Sequence, residues 1–365
     1  MSMTRPDRLA AALAERGFDA LLVTDLVNLS WVTGFTGSNG LAVVGAGDDG
    51  QRLFLTDFRY LTQSAEQLDH GWERVIKPEI LPAAAAALAP AEGAELPLRV
   101  GFDDGHVSVK DHATLASKVA DGVELVPAAG MIEELRLVKD AGELEAIRAA
   151  ARLADAALTE VLSRGLAGRT EREVALDLEF TMRRAGAESA SFPSIIASGT
   201  HSALPHAVPR DVEIPTGTLV TIDWGARLNG YASDCTRTFA TGELDPRDRA
   251  IYDVVLEAQE TSLAAVRAGA TGREVDAVAR DVITAAGHGE HFGHGLGHGV
   301  GIEVHEGPRL SQRSDSTLAA GQVVTVEPGV YVPGAVGVRI EDLAVVTEDG
   351  SEVLTGLPKH LQIIE

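Results

Sequence analysis

Short runs of apolar residues, each bounded by polar or glycine-containing stretches, recur through the first third of the chain. ALLVT at 20–24 is typical, and similar runs follow in LAVVGAG, RLFLT and LRVGF. Apolar runs of this length between turn residues predict buried strands, and the longer amphipathic stretches between them predict helices. We therefore expect residues 1–131 to form an α/β domain with a mixed sheet.

A helix-rich pattern replaces these runs near residue 132 and occurs twice. A long amphipathic helix is predicted first, and Thr170 with Glu173 then forms a capping-box signal for a second helix. Thr271 and Glu274 repeat that signal further on. The predicted order in each half is helix, helix and hairpin, at about 140–164, 171–186 and 218–240, then 247–267, 272–286 and 322–347. We expect 132–365 to be an α+β domain with two similar halves.

The charge of the chain narrows the choice of partners. Its 365 residues include 31 Lys and Arg against 54 Asp and Glu, which gives a net charge of −23. This charge argues against nucleic acid or an anionic membrane surface as a partner. It favours cationic groups such as metal ions or the N-terminus of a peptide.

Cysteine usage and the N-terminal residues predict the location. Cys235 is the only cysteine, so an intramolecular disulfide is excluded and a reducing compartment is allowed. The first residues, MSMTRPDR, are polar and predict no signal peptide. The apolar run at 81–89 is too short to span a bilayer. We expect a cytoplasmic protein.

The first predicted hairpin carries two aspartates. Asn229-Gly230 is a strong signal for a two-residue turn, and Asp223 and Asp234 lie on opposite arms. A turn centred on Leu228-Asn229 makes the aspartates direct cross-strand partners, whereas one centred on Asn229-Gly230 makes them diagonal neighbours. Either register puts both carboxylates on one face, with Cβ atoms roughly 4.5–8 Å apart. Carboxylates this close repel each other unless a cation lies between them.

The second predicted hairpin repeats this arrangement with glutamates. Glu327 precedes a Pro-Gly break, Glu341 lies on the return arm, and both are equally far from Gly334. Because side chains alternate along a strand, Thr325 shares a face with Glu327, and Arg339 shares one with Glu341. This hairpin therefore offers a second acidic pair.

A glycine-rich segment between the hairpins supplies candidate nitrogen ligands. Residues 291–308 contain His291, His294, His298 and His305 among six glycines, and glycine at alternate positions from 293 to 301 disfavours a helix. On an extended segment, His294 and His298 point to the same side. Neutral imidazole is the commonest protein ligand for transition metals. We expect His298 to add one nitrogen to the four carboxylates.

These five groups predict a site for two divalent ions. Four carboxylates carry four negative charges, which two such ions neutralise. An oxygen-rich ligand set with one imidazole favours Mn²⁺, with Co²⁺ or Zn²⁺ as alternatives. Two ions about 3.5–4 Å apart lower the pKa of a water between them and polarise a carbonyl group.

The ligand set and its surroundings resemble the pita-bread metallopeptidases, and among them the aminopeptidase P and prolidase branch. The motifs are DWGARLNGYASDCTRTF, HGLGHGVGIEVHEGP, EPGVYVPG and GVRIED, and the likeness covers all of residues 132–365. Residues 1–131 resemble the creatinase-type N-terminal domain more loosely, through DLVNLSWVTGFTGSNG and TDFRY. The resemblance implies a curved antiparallel sheet, small peptide substrates and a homodimer.

The resemblance also implies a role for each ligand. Asp223 would bind one metal ion, and Asp234 and Glu341 would bridge both. His298 and Glu327 would complete the ligand set of the second ion. Glu327 would in addition accept a proton from the attacking water and pass it to the leaving nitrogen.

Further residues match positions around the metals in this family. His206 matches a histidine that faces the substrate. His294 and His305 match two that flank the scissile bond, and one of these two would stabilise the oxyanion. Arg339 matches the arginine that characterises this branch, and Tyr331 matches a tyrosine near it. These five residues are therefore expected to bind substrate or assist the reaction.

A few other residues are interpreted without the family. Arg59 follows a strand end in the first domain, where α/β folds often contact ligands, and it is a candidate for binding the carboxylate after proline. His201 lies in the loop of the substrate-facing histidine but matches no role. Cys235, Trp224 and Tyr231 are expected to pack.

The expected activity is removal of the N-terminal residue of peptides, at Xaa-Pro bonds, whose second residue lacks an amide N–H. The choice between prolidase and aminopeptidase P stays open, and so does a broader aminopeptidase without a proline requirement. A different class is a pita-bread binding protein without catalysis, or a creatinase-like hydrolase without metal. All five ligand positions are intact, which argues against that class. Arg339 and the N-terminal domain argue against a methionine aminopeptidase.

Overall fold

The computed structural model describes residues 3–48, 50–90 and 95–365. The chain divides into two compact units, Met1–Leu135 and Arg136–Glu365. The change of pattern near residue 132 thus lies close to the division that the structure makes.

The N-terminal unit contains a mixed sheet, as predicted. Its strands are β1 Ala20–Val23, β2 Leu41–Gly45, β3 Arg52–Thr56, β4 Glu73–Ile76, β5 Leu98–Phe102 and β6 Val123–Pro127. The strand order is β4-β3-β2-β1-β5-β6, in which β2 pairs antiparallel with β1 and β3, and the other pairs are parallel. All residues of β1 and β2 are buried, which explains why these strands read as continuous apolar runs.

Helices connect the strands of this unit. They are α1 Arg5–Glu15, α2 Leu26–Thr33, α3 Leu61–Gln67, α4 Ile80–Ala87, α5 Val109–Ala116 and α6 Met131–Arg136. Apolar residues of α4 and α5 pack with those of the sheet in one core. The prediction of an α/β domain is confirmed.

The first half of the C-terminal unit follows the predicted order of helix, helix and hairpin. Its elements are α7 Ala141–Leu162, α8 Glu171–Arg184, β7 Ser189–Ala190, β8 Ile195–Ser198, β9 Leu219–Trp224, β10 Ala226–Leu228, β11 Tyr231–Ala232 and β12 Cys235–Ala240. These strands form two antiparallel sheets, β12-β9-β8 and β11-β10-β7.

The second half repeats the order with a longer set of strands. Its elements are α9 Pro246–Ala265, α10 Gly272–Ala285, β13 Gly297–Gly299, β14 Glu306–Leu310, β15 Val323–Val326, β16 Gly329–Tyr331, β17 Gly337–Arg339, β18 Asp342–Val346 and β19 Ser351–Val353. The strand order is β14-β13-β15-β18-β19, with β16 and β17 paired separately, and all pairs are antiparallel. The predicted α+β architecture with two similar halves is confirmed.

The predicted capping boxes explain where the second helix of each half begins. The Thr170 hydroxyl accepts a hydrogen bond from the Glu173 N–H, and the Glu173 carboxylate accepts one from the Thr170 N–H. Thr271 and Glu274 form the same reciprocal pair at α10. Two unpaired N–H groups are satisfied at each start, so both predictions are confirmed.

Each half has its own apolar core beneath its hairpin. Helices α7 and α8 pack against β9 and β12 around the fully buried Trp224, and Cys235 lies in the same cluster. Helices α9 and α10 pack against β15 to β18. None of the helices in the described ranges is long and apolar enough to cross a bilayer.

Candidate metal centre

The first hairpin places Asp223 and Asp234 as diagonal neighbours. Asn229 and Gly230 form its turn with φ values of 52° and 78°, the left-handed conformations that a two-residue type I′ turn requires. Asp223 pairs with Thr236 in the ladder between β9 and β12. Of the two registers that the sequence allows, the structure has the one centred on Asn229-Gly230.

This hairpin is broken beside Asp234. Gly225 lies between β9 and β10, and a Cβ atom on it would lie 2.0 Å from the Ser233 carbonyl oxygen. Only glycine allows the two arms to approach this closely. Asp234 follows directly, outside both ladders, with its side chain turned to the interior.

The second hairpin places Glu327 and Glu341 opposite each other across a gap. Val326 pairs with Asp342 on one side of the gap and Gly329 with Arg339 on the other, which is one continuous register about Gly334. The two glutamates form no ladder pair. Instead, the Glu327 N–H donates to the Leu296 carbonyl (2.8 Å) and the Glu341 N–H donates to the Thr236 carbonyl (3.0 Å).

The five predicted ligands converge at one buried point. Oxygen atoms of Asp223, Asp234 and Glu341 all lie within 4.8 Å of one another. The His298 Nε2 atom lies 3.6 Å from Asp234 Oδ2 and 3.3 Å from Glu327 Oε1. Side chains far apart in the sequence are thus brought to the spacing that shared metal ligands need.

Glycines around His298 permit this approach. A Cβ atom on Gly297 would lie 2.0 Å from the Thr325 carbonyl oxygen, and one on Gly299 would lie 1.8 Å from the Gly307 carbonyl oxygen. The His298 Nδ1 atom is 3.1 Å from the Gly299 carbonyl, which can only accept, so Nδ1 carries the proton. The lone pair of Nε2 is then directed to the carboxylates.

Threonines hold two of the carboxylates from behind. Thr236 Oγ1 donates to Glu341 Oε2 (2.7 Å) and accepts from Arg339 Nε (3.0 Å). Thr325 Oγ1 donates to Glu327 Oε1 (3.3 Å) and accepts from the His298 N–H (3.1 Å). Each threonine therefore links a carboxylate to a second residue of the site.

The electrostatics of the cluster favour binding of a cation. Burial, followed by repulsion from neighbouring carboxylates, raises the pKa of Asp234 and of Glu341 well above the ordinary values. Burial also raises the pKa of Glu327, but when the His298 ring is protonated on both nitrogens its hydrogen bond and charge outweigh burial and bring the value to about 2. Among the described residues, none forms a hydrogen bond with the buried oxygens Asp223 Oδ1 and Glu341 Oε1. Divalent ions fit this donor set, because they would satisfy these oxygens and offset the charge.

A network of Arg339 and Tyr331 borders the carboxylates. Arg339 Nη2 lies 2.6 Å from Asp223 Oδ2, and Nη1 donates to the Tyr331 hydroxyl (2.8 Å). The same hydroxyl lies 3.0 Å from His294 Nε2. Burial raises the pKa of Tyr331 and lowers that of His294, so both groups are neutral near pH 7.

The remaining histidines face the same cavity, which has a volume of about 880 Å³. The His305 ring packs edge-on against His298, with ring centroids 4.4 Å apart. Burial and the nearby His298 lower the pKa of His305. His206 is exposed and lines the cavity from the segment after β8. The structure thus gathers the predicted ligands and substrate-facing residues of the second domain around one cavity.

Arg59 belongs to the N-terminal unit. Its guanidinium donates to both carboxylate oxygens of Asp57, at 2.9 and 2.7 Å. This pairing lowers the pKa of Asp57 and fixes the direction of the arginine. Its proposed contact with a substrate carboxylate stays a prediction.

Several residues of the cavity were not singled out from the sequence. Arg309 is exposed in the cavity and is the cross-strand partner of His298. The apolar wall comes from Phe192, Pro193 and Val208. The signal for Arg309 was its position on the strand that follows His305, where alternation predicts one inward-facing side chain in two.

Comparisons with known proteins agree with this geometry. The family model described as "Metallopeptidase family M24" matches residues 145–348, and the one described as "Creatinase/Prolidase N-terminal domain" matches residues 5–138. An uncharacterized peptidase of Bacillus subtilis (strain 168) is 43% identical over 98% of this chain and 99% of its own length.

Solved structures of other proteins are also similar to this chain over nearly its whole length. A Xaa-Pro dipeptidase from Bacillus anthracis has a TM-score of 0.92 and 41% identity, covering 98% of this chain and 99% of that one. An X-Pro aminopeptidase from Thermotoga maritima has a TM-score of 0.87 and 35% identity, covering 96% and 99%. The resemblance inferred from the motifs is confirmed. This chain belongs to metallopeptidase family M24, with a creatinase/prolidase N-terminal domain, and it is a hydrolase of peptide bonds whose family uses divalent metal ions.

Proposed function

We propose that this chain is a dinuclear metal-dependent exopeptidase that removes the N-terminal residue of small peptides at Xaa-Pro bonds. One observation carries the proposal. Two buried and two partly buried carboxylates meet one imidazole at a single point, and two of the carboxylate oxygens have no hydrogen-bond partner among the described residues. Such a group is unfavourable without cations and is well suited to two of them.

Five residues would hold the two proposed ions, namely Asp223, Asp234, His298, Glu327 and Glu341. The oxygen-rich set favours Mn²⁺ over Co²⁺ or Zn²⁺. When bound, the ions supply Lewis acidity and an activated water at neutral pH.

The chain's own side chains then handle the proton and the substrate. Glu327 accepts the proton of the attacking water and delivers it to the leaving nitrogen. His294 and His305 flank the scissile bond, and their position in the cavity suits them to stabilise charge that develops on its oxygen. Arg339, held by Tyr331, keeps Asp223 in place.

Preference for proline is supported by the cavity wall and by the relatives. Phe192, Pro193 and Val208 present apolar surface of the kind that a pyrrolidine ring packs against. The two solved relatives described above are named for Xaa-Pro and X-Pro substrates. A broader aminopeptidase would use the same ligands, so the requirement for proline is tested directly below.

A dipeptidase is the form of this activity that we propose first. Arg309 is an exposed cation within the cavity, at the strand position opposite His298. It is placed to bind the free carboxylate of a short substrate, as guanidinium groups bind carboxylates through paired hydrogen bonds. We also propose a homodimer located in the cytoplasm, to be checked by light scattering and by cell fractionation.

The experiment combines metal analysis with four substrates. Purified protein is stripped with a chelator and reloaded, and hydrolysis of Ala-Pro, Ala-Pro-Ala, Ala-Ala and Ala-Ala-Ala is measured. We expect two ions per chain and Ala-Pro cleaved at least about 10-fold faster than the others, a difference of about 1.4 kcal/mol. Equal cleavage of Ala-Pro-Ala would indicate an aminopeptidase P, and equal cleavage of the alanine peptides would indicate a broader enzyme. Activity that persists without any divalent ion would contradict the proposal.

A further inference from the structure

Glu171, the first residue of α8, is a fully buried carboxylate that the proposed chemistry does not use. Both of its oxygens accept hydrogen bonds at 2.9–3.1 Å. The donors are the Ser198 N–H and hydroxyl, His201 Nδ1, and the main-chain N–H, Nε and Nη2 of Arg210. A carboxylate with this many donors is held firmly in one orientation.

All of these donors come from the two ends of a single segment. We call residues 198–210 the His206 segment; it begins at Ser198, the last residue of β8, and ends at Arg210. Its middle carries exposed apolar side chains, with Leu204 56% and Val208 75% exposed, and its inner side lines the metal cavity. The buried Ser202 and Ala207 anchor part of the segment. Leu204 and Val208 add little packing, so the attachments at its ends also contribute to its position.

The negative charge of Glu171 is essential to this hold. Burial alone would raise the pKa of Glu171, but the hydrogen bonds of Arg210, Ser198 and His201 outweigh it and lower the value to about 2. Since an ionised carboxylate only accepts, His201 donates through Nδ1–H. The residue that matched no role in the sequence is therefore one of the attachments of the segment.

Helix capping does not explain Glu171. The start of α8 is already satisfied by the reciprocal bonds of Thr170 and Glu173. The Glu171 side chain instead turns inward, to Ser198 and Arg210. Its position is connected to the metal centre, because the Pro205 carbonyl within the segment accepts a hydrogen bond from Arg339 Nη1 (3.3 Å).

We infer that Glu171 is a positioning residue that fixes His206 at the rim of the metal cavity by clamping both ends of the His206 segment with one buried carboxylate. This inference rests on the proposed function, since the role of His206 toward substrate belongs to it. The clamp acts on the geometry of the substrate-facing wall, and Glu171 forms no hydrogen bond with any of the five proposed metal ligands.

The first test replaces the charge and keeps the shape. Glu171→Gln is expected to lower kcat/KM by about 10- to 100-fold, as small displacements of substrate-positioning groups do. Bound metal stays at the level of the unmodified protein, and amide hydrogen exchange becomes faster in 199–210. The matched control is Glu173→Gln, two residues further along α8, where glutamine still completes a capping box, and both readouts stay unchanged.

A double-mutant cycle separates positioning from a general loss of stability. If Glu171 acts through His206, Glu171→Gln costs less than about threefold in kcat/KM once His206→Ala is present, because coupled residues are not additive. An equal cost with and without His206 would overturn the inference, and so would unchanged exchange in 199–210.

Two further outcomes are kept distinct. If Glu171→Gln does not fold, Arg210→Gln replaces it, because this variant removes the side-chain attachment at one end while the other donors remain. The same loss of rate and the same faster exchange in 199–210 are then expected. Unchanged rate and exchange would contradict the clamp. Should His206→Ala alone keep full activity, the proposed role of His206 fails. The exchange of 199–210 in Glu171→Gln still decides whether the carboxylate holds the segment.

Discussion

The two hairpins of the C-terminal unit deliver the same kind of acidic pair by different backbone routes. In the first, Asp223 lies on a central strand between β8 and β12, and only Asp234 falls at a break. In the second, Glu327 and Glu341 both lie in the gap between two ladders. One hairpin is therefore mostly regular at the site, and the other is interrupted there.

The interruption has a use. Residues in the gap are released from pairing with each other, so their N–H groups can bond elsewhere. The Glu327 N–H donates to the carbonyl of Leu296, two residues before His298, and the Glu341 N–H donates to the carbonyl of Thr236 in the first hairpin. The broken hairpin thus connects the three elements that carry ligands, which a regular hairpin would not do.

The largest expected effect comes from removing, in each hairpin, the carboxylate that we propose is shared by both ions. Asp234→Ala and Glu341→Ala should each lose bound metal and lower kcat/KM by about 1,000-fold or more, equivalent to about 4 kcal/mol. Elemental analysis and initial rates measure the two losses. The exposed Asp253→Ala is the control and should behave as the unmodified chain does. Loss in only one of the two variants would show that the hairpins are not equivalent.

An intermediate effect is expected from the supporting threonines. Thr236→Val removes a 2.7 Å hydrogen bond to Glu341, whereas Thr325→Val removes a 3.3 Å bond to Glu327. Loss of such a support typically lowers metal affinity 10- to 100-fold. We expect Thr236→Val to be the more damaging variant in calorimetric metal titration. The reverse order would indicate that the link from Thr325 to His298 matters more than bond length.

The smallest effects come from the glycines at the breaks. In Gly225→Ala the new Cβ meets the Ser233 carbonyl, a main-chain atom that cannot move alone, so the free energy of unfolding should fall by about 1–3 kcal/mol. In Gly329→Ala it meets the Tyr331 hydroxyl at 2.5 Å, a side-chain end that can shift. That variant should retain its melting temperature and lose rate. Equal melting temperatures for both variants would contradict this distinction.

The sequence limited the first hairpin to two registers and predicted one register for the second, because turn residues and the period of two constrain the pairing. The structure has the turn at Asn229-Gly230 in the first, and the equal distances of Glu327 and Glu341 from Gly334 match the observed pairing in the second. The two capping boxes could also be predicted from the sequence, since a capping box depends on residues three positions apart. Local rules and alternation thus predicted which side chains share a face.

The remaining features depend on contacts between distant parts of the chain. The break at Gly225 arises from the close approach of the two arms, which no local pattern encodes, whereas the break after Glu327 was marked in the sequence by Pro328-Gly329. The clamp of Glu171 joins α8 to residues after β8, and its donors His201 and Arg210 look like ordinary surface residues in the sequence. The position of Arg309 in the cavity depends on the pairing of its strand with that of His298, which the sequence does not specify.

The bonds that join the hairpins have a consequence for how this protein can change over generations. The hydrogen bond between Glu341 N–H and the Thr236 carbonyl needs no particular side chain, and the buried pair of Arg237 and Asp342 (2.8 Å) ties the same strands without touching a ligand atom. These bonds between the hairpins therefore do not depend on which side chains occupy the ligand positions. A descendant could exchange every ion-binding group, keep the same cleft, and serve as a receptor for the peptides that its ancestor cut.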